Sequence, residues 1–362
     1  MRLSRRQLAV VSVVVFVVGF VFLRSPTPHI SIKPETIVDL GMVNITNTMI
    51  TSWLVVATMI IVVFFATRRW ELVPRGAQNV IETVVEAFYG LVVNVAGEKN
   101  GRRFLPVVAT IFFFVLVANW LSLLPIFNAI GFSEEAEEEH GVVMEQTAVG
   151  PLDVTWVPLS GPGNLRITSD SSNIEEDDPE AQEKLAQAKE DGKFVGELLP
   201  LLRGPNTDLN TPLALAIVSA IAVESWGISS LGLFAYGRKF FNFGGMFRGL
   251  GRLNFGLFFQ GMIDGFVGIL ELISELVRLL SFTFRLFGNM FAGEVVLLMF
   301  TFLTPLILTI VFYGLELFVG IIQAFIFAML TLVFGVMAVS HGEAHAEGEH
   351  SRTAEPAAQE AH

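Results

Sequence analysis

Cysteine is absent from the 362 residues, so the chain has no disulfide frame, no thiolate metal site and no cysteine nucleophile. Charge is scarce as well. Asp, Glu, Lys and Arg make up 16% of the sequence against 52% hydrophobic residues, and the mean hydropathy is +0.61. Apolar residues at that density cannot all be hidden in one soluble core. Several runs are long enough to cross a bilayer, which takes about 20 apolar residues. Histidine is nearly missing: outside the segment 133–197 and the C-terminal tail the only one is His29. An intramembrane enzyme needs a nucleophile–base set or metal ligands at one depth, and the sequence does not supply them. His341, His345 and His350 are loosely spaced in a Gly/Ala/Glu-rich tail and read as tail, not as a metal site. No basic stripe with aromatic partners marks a nucleic-acid surface. No convincing internal repeat marks a self-contained secondary transporter.

The net charge of -12 belongs to one place. Residues 133–197 hold 17 of the 35 acidic and 4 of the 23 basic residues, and the remainder of the chain is close to neutral. Such a composition, with Gly, Pro, Ser and Asp scattered through 150–180, predicts a solvated extramembrane loop that does not pack by itself, with a short helix at 180–192.

The rest divides by hydropathy. Arg2, Arg5 and Arg6 precede an apolar run from Leu8 to Leu23, the grammar of a signal peptide. No small-x-small cleavage site follows, and both a cleaved signal and a retained anchor stay open for residues 1–39. An uncharged stretch from Leu40 to Thr67 predicts a first span ending at Arg68-Arg69-Trp70. Val80, Val84, Val85, Phe88, Leu91, Val92 and Val95 recur at helical spacing with Glu82 and Glu86 among them, which predicts an amphipathic helix on the membrane over 77–97. A second span follows from Phe104 to about Phe127, and a third from about Pro212 to Tyr236. The basic turns place 68–103 and 237–253 inside and 128–207 outside. From Phe255 to Ser340 the chain is nearly all apolar, broken at Thr304-Pro305. Some fifty helical residues would be about 75 Å long against a hydrocarbon core of about 30 Å, so this stretch breaks or tilts strongly. The expected organisation is 1–39 leader, 40–131 two spans with the amphipathic helix, 132–207 acidic loop, 208–340 membrane domain and 341–362 a disordered polar tail.

Ionisable groups at membrane depth are where function is sought, because each is costly there. Arg285 has no acid at i±3 or i±4, so its counter-charge must come from another helix, another subunit or water. At about 100° per residue Asn289 shares its face, Glu271 falls about 40° away and roughly 21 Å down the axis, and Glu294 lies on the opposite side. Glu316 and Gln323 share a face. Glu275 and Arg278, three apart, read as a local pair. Glu224 reads as an inter-helix contact, and Asp264 as a headgroup neighbour.

Arg285-Leu-Phe-Gly-Asn289-Met-Phe-Ala-Gly-Glu294 resembles the signature of the subunit a family of F-type ATP synthases. It is joined by Leu270-Glu271-Leu-Ile-Ser274-Glu, Gln323-Ala-Phe-Ile-Phe, Asp208-Leu-Asn210-Thr211 and the Asn119 to Pro125 end of the second span. The match is strong over 205–340, moderate over 40–130 and absent in the acidic loop and both tails. The resemblance implies an all-α integral membrane protein of polytopic helices, with a long tilted C-terminal helix hairpin packed against a rotor ring. It implies a non-catalytic stator subunit without metal or cofactor, in a bacterial plasma membrane, with the c-ring, the subunit b stalk and the rest of the synthase as partners. Arg285 would face the c-ring carboxylate, with Asn289 and Gln323 supporting the arginine face. Glu294 and Glu316 would line the outer half-channel, and Glu271 with Ser274 the cytoplasmic one. Some members carry a histidine at one of the two outer positions, where this chain has two glutamates. The family also often has a proline after the position of Arg278, where this chain has Leu279.

Overall fold

The structure is a computed structural model that describes residues 30–41, 44–68, 71, 73–135, 142–149, 152–156, 193–240, 244–251, 254–303 and 307–359, with isolated positions before residue 30. The apolar run 8–23, the short helix expected at 180–192 and the break at Thr304-Pro305 lie largely or wholly outside the described residues. Among the described residues four helices are long and apolar enough to cross a membrane, within 47–67, 78–122, 210–231 and 308–340. The chain divides into two compact units, one of Met1–Val55, Ala118–Asp208 and Gly288–Gly320, the other of Val56–Val117, Leu209–Phe287 and Ile321–His362.

The first unit begins with a small antiparallel pair, β1 (Thr36–Asp39) and β2 (Asn44–Thr46). Gly41 takes φ 78° in the turn, and its N–H donates to Asp39 Oδ1 at 2.7 Å. Helix α1 (Asn47–Thr67) therefore starts seven residues later than the uncharged stretch predicts, because the earlier residues are spent on strand pairing. Its first turn is tied down by polar groups. Asn47 Oδ1 accepts from Thr48 N at 2.8 Å, Asn47 Nδ2 donates to Pro200 O at 3.0 Å, and Thr48 Oγ1 donates to Asp208 Oδ2 at 3.0 Å.

The acidic segment corrects the expectation of an unpacked loop. Its described ends form a four-stranded antiparallel sheet in the order β3 (Gly131–Glu135), β6 (Lys193–Pro200), β4 (Val142–Val149), β5 (Leu152–Trp156). Gly131 pairs with Pro200, Val142 with Gly196, and Val149 with Leu152. Acidity averaged over 65 residues hid short β-branched runs such as Val142-Val143 and Val154-Thr155, which favour pleated backbone.

The second unit is built around α2 (Ala77–Ser122), α3 (Asn210–Leu231) and the last helix, α7 (Ile307–Gln359). Within α2, Gly97 at φ 73°, ψ 167° interrupts the helical dihedrals and joins two arms. In the first arm Val80, Val84, Val85, Leu91 and Val95 of the amphipathic pattern are exposed. Phe88, Val92 and Ala96 are buried against the second arm, and the rings of Phe88 and Phe112 stack at 4.7 Å. Helix α3 stops at Gly232 (φ 82°), short of Tyr236, and the chain resumes in the short α4 (Leu233–Phe240) and α5 (Gly244–Gly251). The core of this unit joins Phe104, Val108, Val223, Trp226, Ala328 and Leu332. Phe104 stacks on Trp226 at 4.2 Å, and one buried polar bond, Ser219 to Thr331 at 2.7 Å, crosses it. Small residues and hydroxyl pairs are the usual means of close helix approach in lipid, where burial of carbon supplies little drive.

Helix α6 (Phe255–Leu303) runs 49 residues without interruption, about 74 Å at 1.5 Å per residue. Leu279, standing where the family resemblance leads one to expect a proline, lies within this unbroken helix. Helix α7 continues to Gln359, so residues 341–359 are helical where their polar composition predicts a disordered tail. Alanine and glutamate, both good helix formers, recur there.

Gly335 marks one such close approach: an added Cβ would lie 2.7 Å from the Trp226 ring. Gly335→Ala is expected to destabilise the detergent-solubilised protein by about 1–3 kcal/mol through overpacking. Gly314→Ala, whose Cβ would meet nothing within 4 Å, is expected to be neutral or slightly stabilising. Thermal unfolding of the two variants checks the contrast.

Candidate functional site

Two places on α6 gather the residues of interest, one in each unit. In the second unit Arg285 is exposed and makes no hydrogen bond or ion pair with any described residue. Leu276, Val277, Leu280 and Phe284 are all exposed along the same helix. Leu286, Phe282 and Thr283 turn inward, and Phe282 packs on Phe327 with ring centroids 5.0 Å apart, which holds this part of α6 by its inner face. Asn289, which belongs to the first unit, is exposed as well. Gln323 is buried on α7 and forms no hydrogen bond with Arg285. Glu271 is half-buried, and Ser274 is exposed with its hydroxyl on Leu270 O at 2.9 Å.

Arg278 contrasts with Arg285. It donates to Glu275 at 2.6 Å, as the i, i+3 spacing predicts, and its guanidinium lies 3.7 Å over the Phe334 ring. The charge is answered twice within the unit, by a carboxylate and by an aromatic face.

The second place, in the first unit, holds both outer carboxylates. The rings of Phe300 and Phe312 stack at 4.1 Å and bring α6 and α7 together. Glu294 sits two turns from that stack on α6, Glu316 one turn from it on α7. The Glu316 carboxylate rests against the backbone of Gly293, where any Cβ would overlap it. The two glutamates line one cavity of about 90 Å³, together with Asn119, Asn128, Asn206 and Tyr313. A polar cavity of that size accommodates several waters. Asn206 Nδ2 donates to Asn119 Oδ1 at 2.7 Å, while its own buried Oδ1 has no hydrogen-bond partner among the described residues. Asn119 Nδ2 in turn donates to Gly320 O at 3.3 Å, and Trp120 Nε1 to Leu317 O at 3.2 Å, which seats α7 against the end of α2.

Glu294 is further held by groups that sequence reasoning missed. Asn128 Nδ2 donates to its Oε1 at 2.8 Å, and Arg203 Nη2 and Nε donate to its Oε2 at 3.2 and 3.4 Å. These side chains are 91 and 166 positions away in sequence. The only signal available was isolation: Arg203 is the sole cation between Lys193 and Arg238.

Against known proteins, the family model for the ATP synthase A chain matches residues 49–335. The chain belongs to that family. It is 27% identical to the ATP synthase subunit a of Moorella thermoacetica over 303 residues, covering 84% of this chain and 95% of the relative. It is likewise 27% identical to the ATP synthase subunit a of Gloeobacter violaceus over 302 residues, covering 83% and 86%. Membership makes it a non-catalytic membrane subunit with the general proton-channel role of the stator.

The seat of Glu316 is testable. Gly293→Ala is expected to displace its carboxylate and slow proton pumping by the assembled synthase about tenfold or more, since a misplacement of about 1 Å is enough for such losses. Gly314→Ala, on the open side of α7, is the control. ATP-driven acidification of inverted vesicles measures both.

Proposed function

We propose that the chain is the stator subunit that carries protons through two offset half-channels to and from the carboxylates of a c-ring, and so couples proton flow to rotation and ATP synthesis. The observation that carries this reading is Arg285, an exposed cation on a largely apolar helix with no anion against it among the described residues. Such a group needs an anion from outside the chain. A carboxylate borne past on a ring of small helical subunits supplies it transiently. Burial in lipid favours that carboxylate's neutral form, and an opposite charge within about 4–6 Å favours its ionised form. Arg285 then forces deprotonation as each site passes and bars direct leakage between the two half-channels.

The remaining roles follow the same reading. Asn289, a turn from Arg285, and Gln323 support the arginine face. Glu294 and Glu316, around the polar cavity, line the half-channel open to the outer side. Glu271 with Ser274 lines the cytoplasmic one, on the same helix but farther toward its N-terminus. The exposed apolar side of α6 is the surface offered to the ring, α6 and α7 forming the tilted hairpin. Subunit b and the remainder of the synthase complete the assembly in a bacterial plasma membrane. The chain itself needs no metal or cofactor in this scheme.

Arg285→Ala is expected to abolish ATP-driven acidification of inverted vesicles, a loss of about a hundredfold or more, while the complex still assembles. Arg278→Ala, whose partners lie within the unit, is expected to keep pumping. Normal pumping by Arg285→Ala would make the arginine structural and overturn the reading.

A further inference from the structure

Arg203 reaches out from the turn that follows β6, and its guanidinium is engaged on two sides. Nη2 donates to Ser31 O at 2.6 Å and Nη1 to Lys33 O at 3.3 Å, while Nη2 and Nε meet Glu294 Oε2. The side chains of Arg203 and Glu294 are only 7% and 11% exposed, so this is a buried ion pair and not a surface contact. Asn128 occupies the other carboxylate oxygen. Both oxygens of Glu294 are therefore held by donors. Glu316, on the same cavity, has no hydrogen bond or ion pair with any described residue. The titratable groups around that cavity are Glu294, Glu316 and Tyr313, with Arg203 behind Glu294. Two carboxylates that look equivalent in sequence are thus placed in opposite circumstances.

We propose that Arg203 is a positioning residue that keeps Glu294 as a fixed anion, leaving Glu316 as the carboxylate that takes up and releases the proton in the outer half-channel. The inference rests on the half-channel reading above and divides its labour. One proton enters the Glu316 carboxylate from the cavity and the same proton leaves it toward the ring, with no change at Glu294. Neutralising Glu294 would strand the Arg203 guanidinium in a buried site, and a buried cation without its anion is strongly unfavourable. That cation would also repel the incoming proton at the cavity wall. The backbone carbonyls of Ser31 and Lys33 fix where the guanidinium stands, so the leader segment takes part in the site through Arg203.

The decisive comparison is rescue, measured as ATP-driven acidification of inverted vesicles carrying the whole synthase, with ring co-purification scoring assembly. Glu294→Gln alone is expected to slow pumping about tenfold or more, because it leaves Arg203 unpaired. The double variant Arg203→Gln/Glu294→Gln, which removes both charges, is expected to recover to within about threefold of the parent, the non-additivity of a coupled pair. Glu316→Gln is expected to stay impaired about tenfold or more in both backgrounds. A double variant as slow as Glu294→Gln, or one that fails to assemble, would overturn the division of roles and return Glu294 to the relay. Undiminished pumping by Glu316→Gln in the parent would sink the half-channel assignment itself, whatever the double variant does.

Discussion

A charge set among apolar helices is costly unless it is answered, and most of what distinguishes this chain is how each of three arginines is met. Arg278 is met by Glu275 and by the face of Phe334, both in its own unit. Arg203 is met by Glu294 and by two backbone carbonyls. Arg285 is met by no described residue. The first two arrangements consume packing: Phe334 also lies 5.8 Å from Phe282, so the answer to Arg278 is part of what fastens α6 to α7. Arg285 consumes none. The inner side of α6 carries the packing without it. On the proposed reading that asymmetry is functional. A permanent internal partner would hold the arginine more tightly than a passing carboxylate and would stop it from acting on one.

The same contrast explains what was legible in the sequence. Hydropathy located the helices because lipid demands that backbone groups be satisfied within the segment, and a run of carbon long enough to span has few other forms. Their ends were less legible. Asn47 starts α1 seven residues into the uncharged stretch because Thr36–Asp39 pair with Asn44–Thr46, a tertiary event that composition does not register. The sheet at the ends of the acidic segment was invisible for a related reason. A net charge averaged over a long loop says nothing about a few β-branched residues at its edges. The apolar residues at helical spacing over 77–97 divide: Val80, Val84, Val85, Leu91 and Val95 are exposed, while Phe88 and Val92 turn inward onto the second arm of α2. Period alone does not tell a lipid surface from a neighbouring helix.

At the candidate site, spacing along one helix was informative and distance in sequence was not. Nine residues separate Arg285 from Glu294, about two and a half turns, so a continuous helix must present them on opposite sides. The exposure of Arg285 and the partial burial of Glu294 agree with that arithmetic. No arithmetic on one helix reaches Asn128 or Arg203, which come to Glu294 from other segments.

The polar character of the first unit bears on how such a site is kept in shape. Its buried groups include Asn47, Thr48, Asn119, Arg203, Asn206 and Asp208, where the second unit buries mostly carbon. A polar interior is costly unless each group finds a partner, and here the partners come from remote segments: Thr48 with Asp208, Asn206 with Asn119, Asn119 with the carbonyl of Gly320. Networks of that kind have few alternative arrangements, because shifting one member leaves another unsatisfied. That rigidity suits a site that must hold one carboxylate still and leave its neighbour available. Glu294 lies inside the network and inherits its stiffness through Arg203 and Asn128. Glu316 lies at its edge, seated on the bare backbone of Gly293, where contact restrains its position and no donor among the described residues claims its oxygens. The difference between the two glutamates is therefore set by what surrounds them and not by their own chemistry.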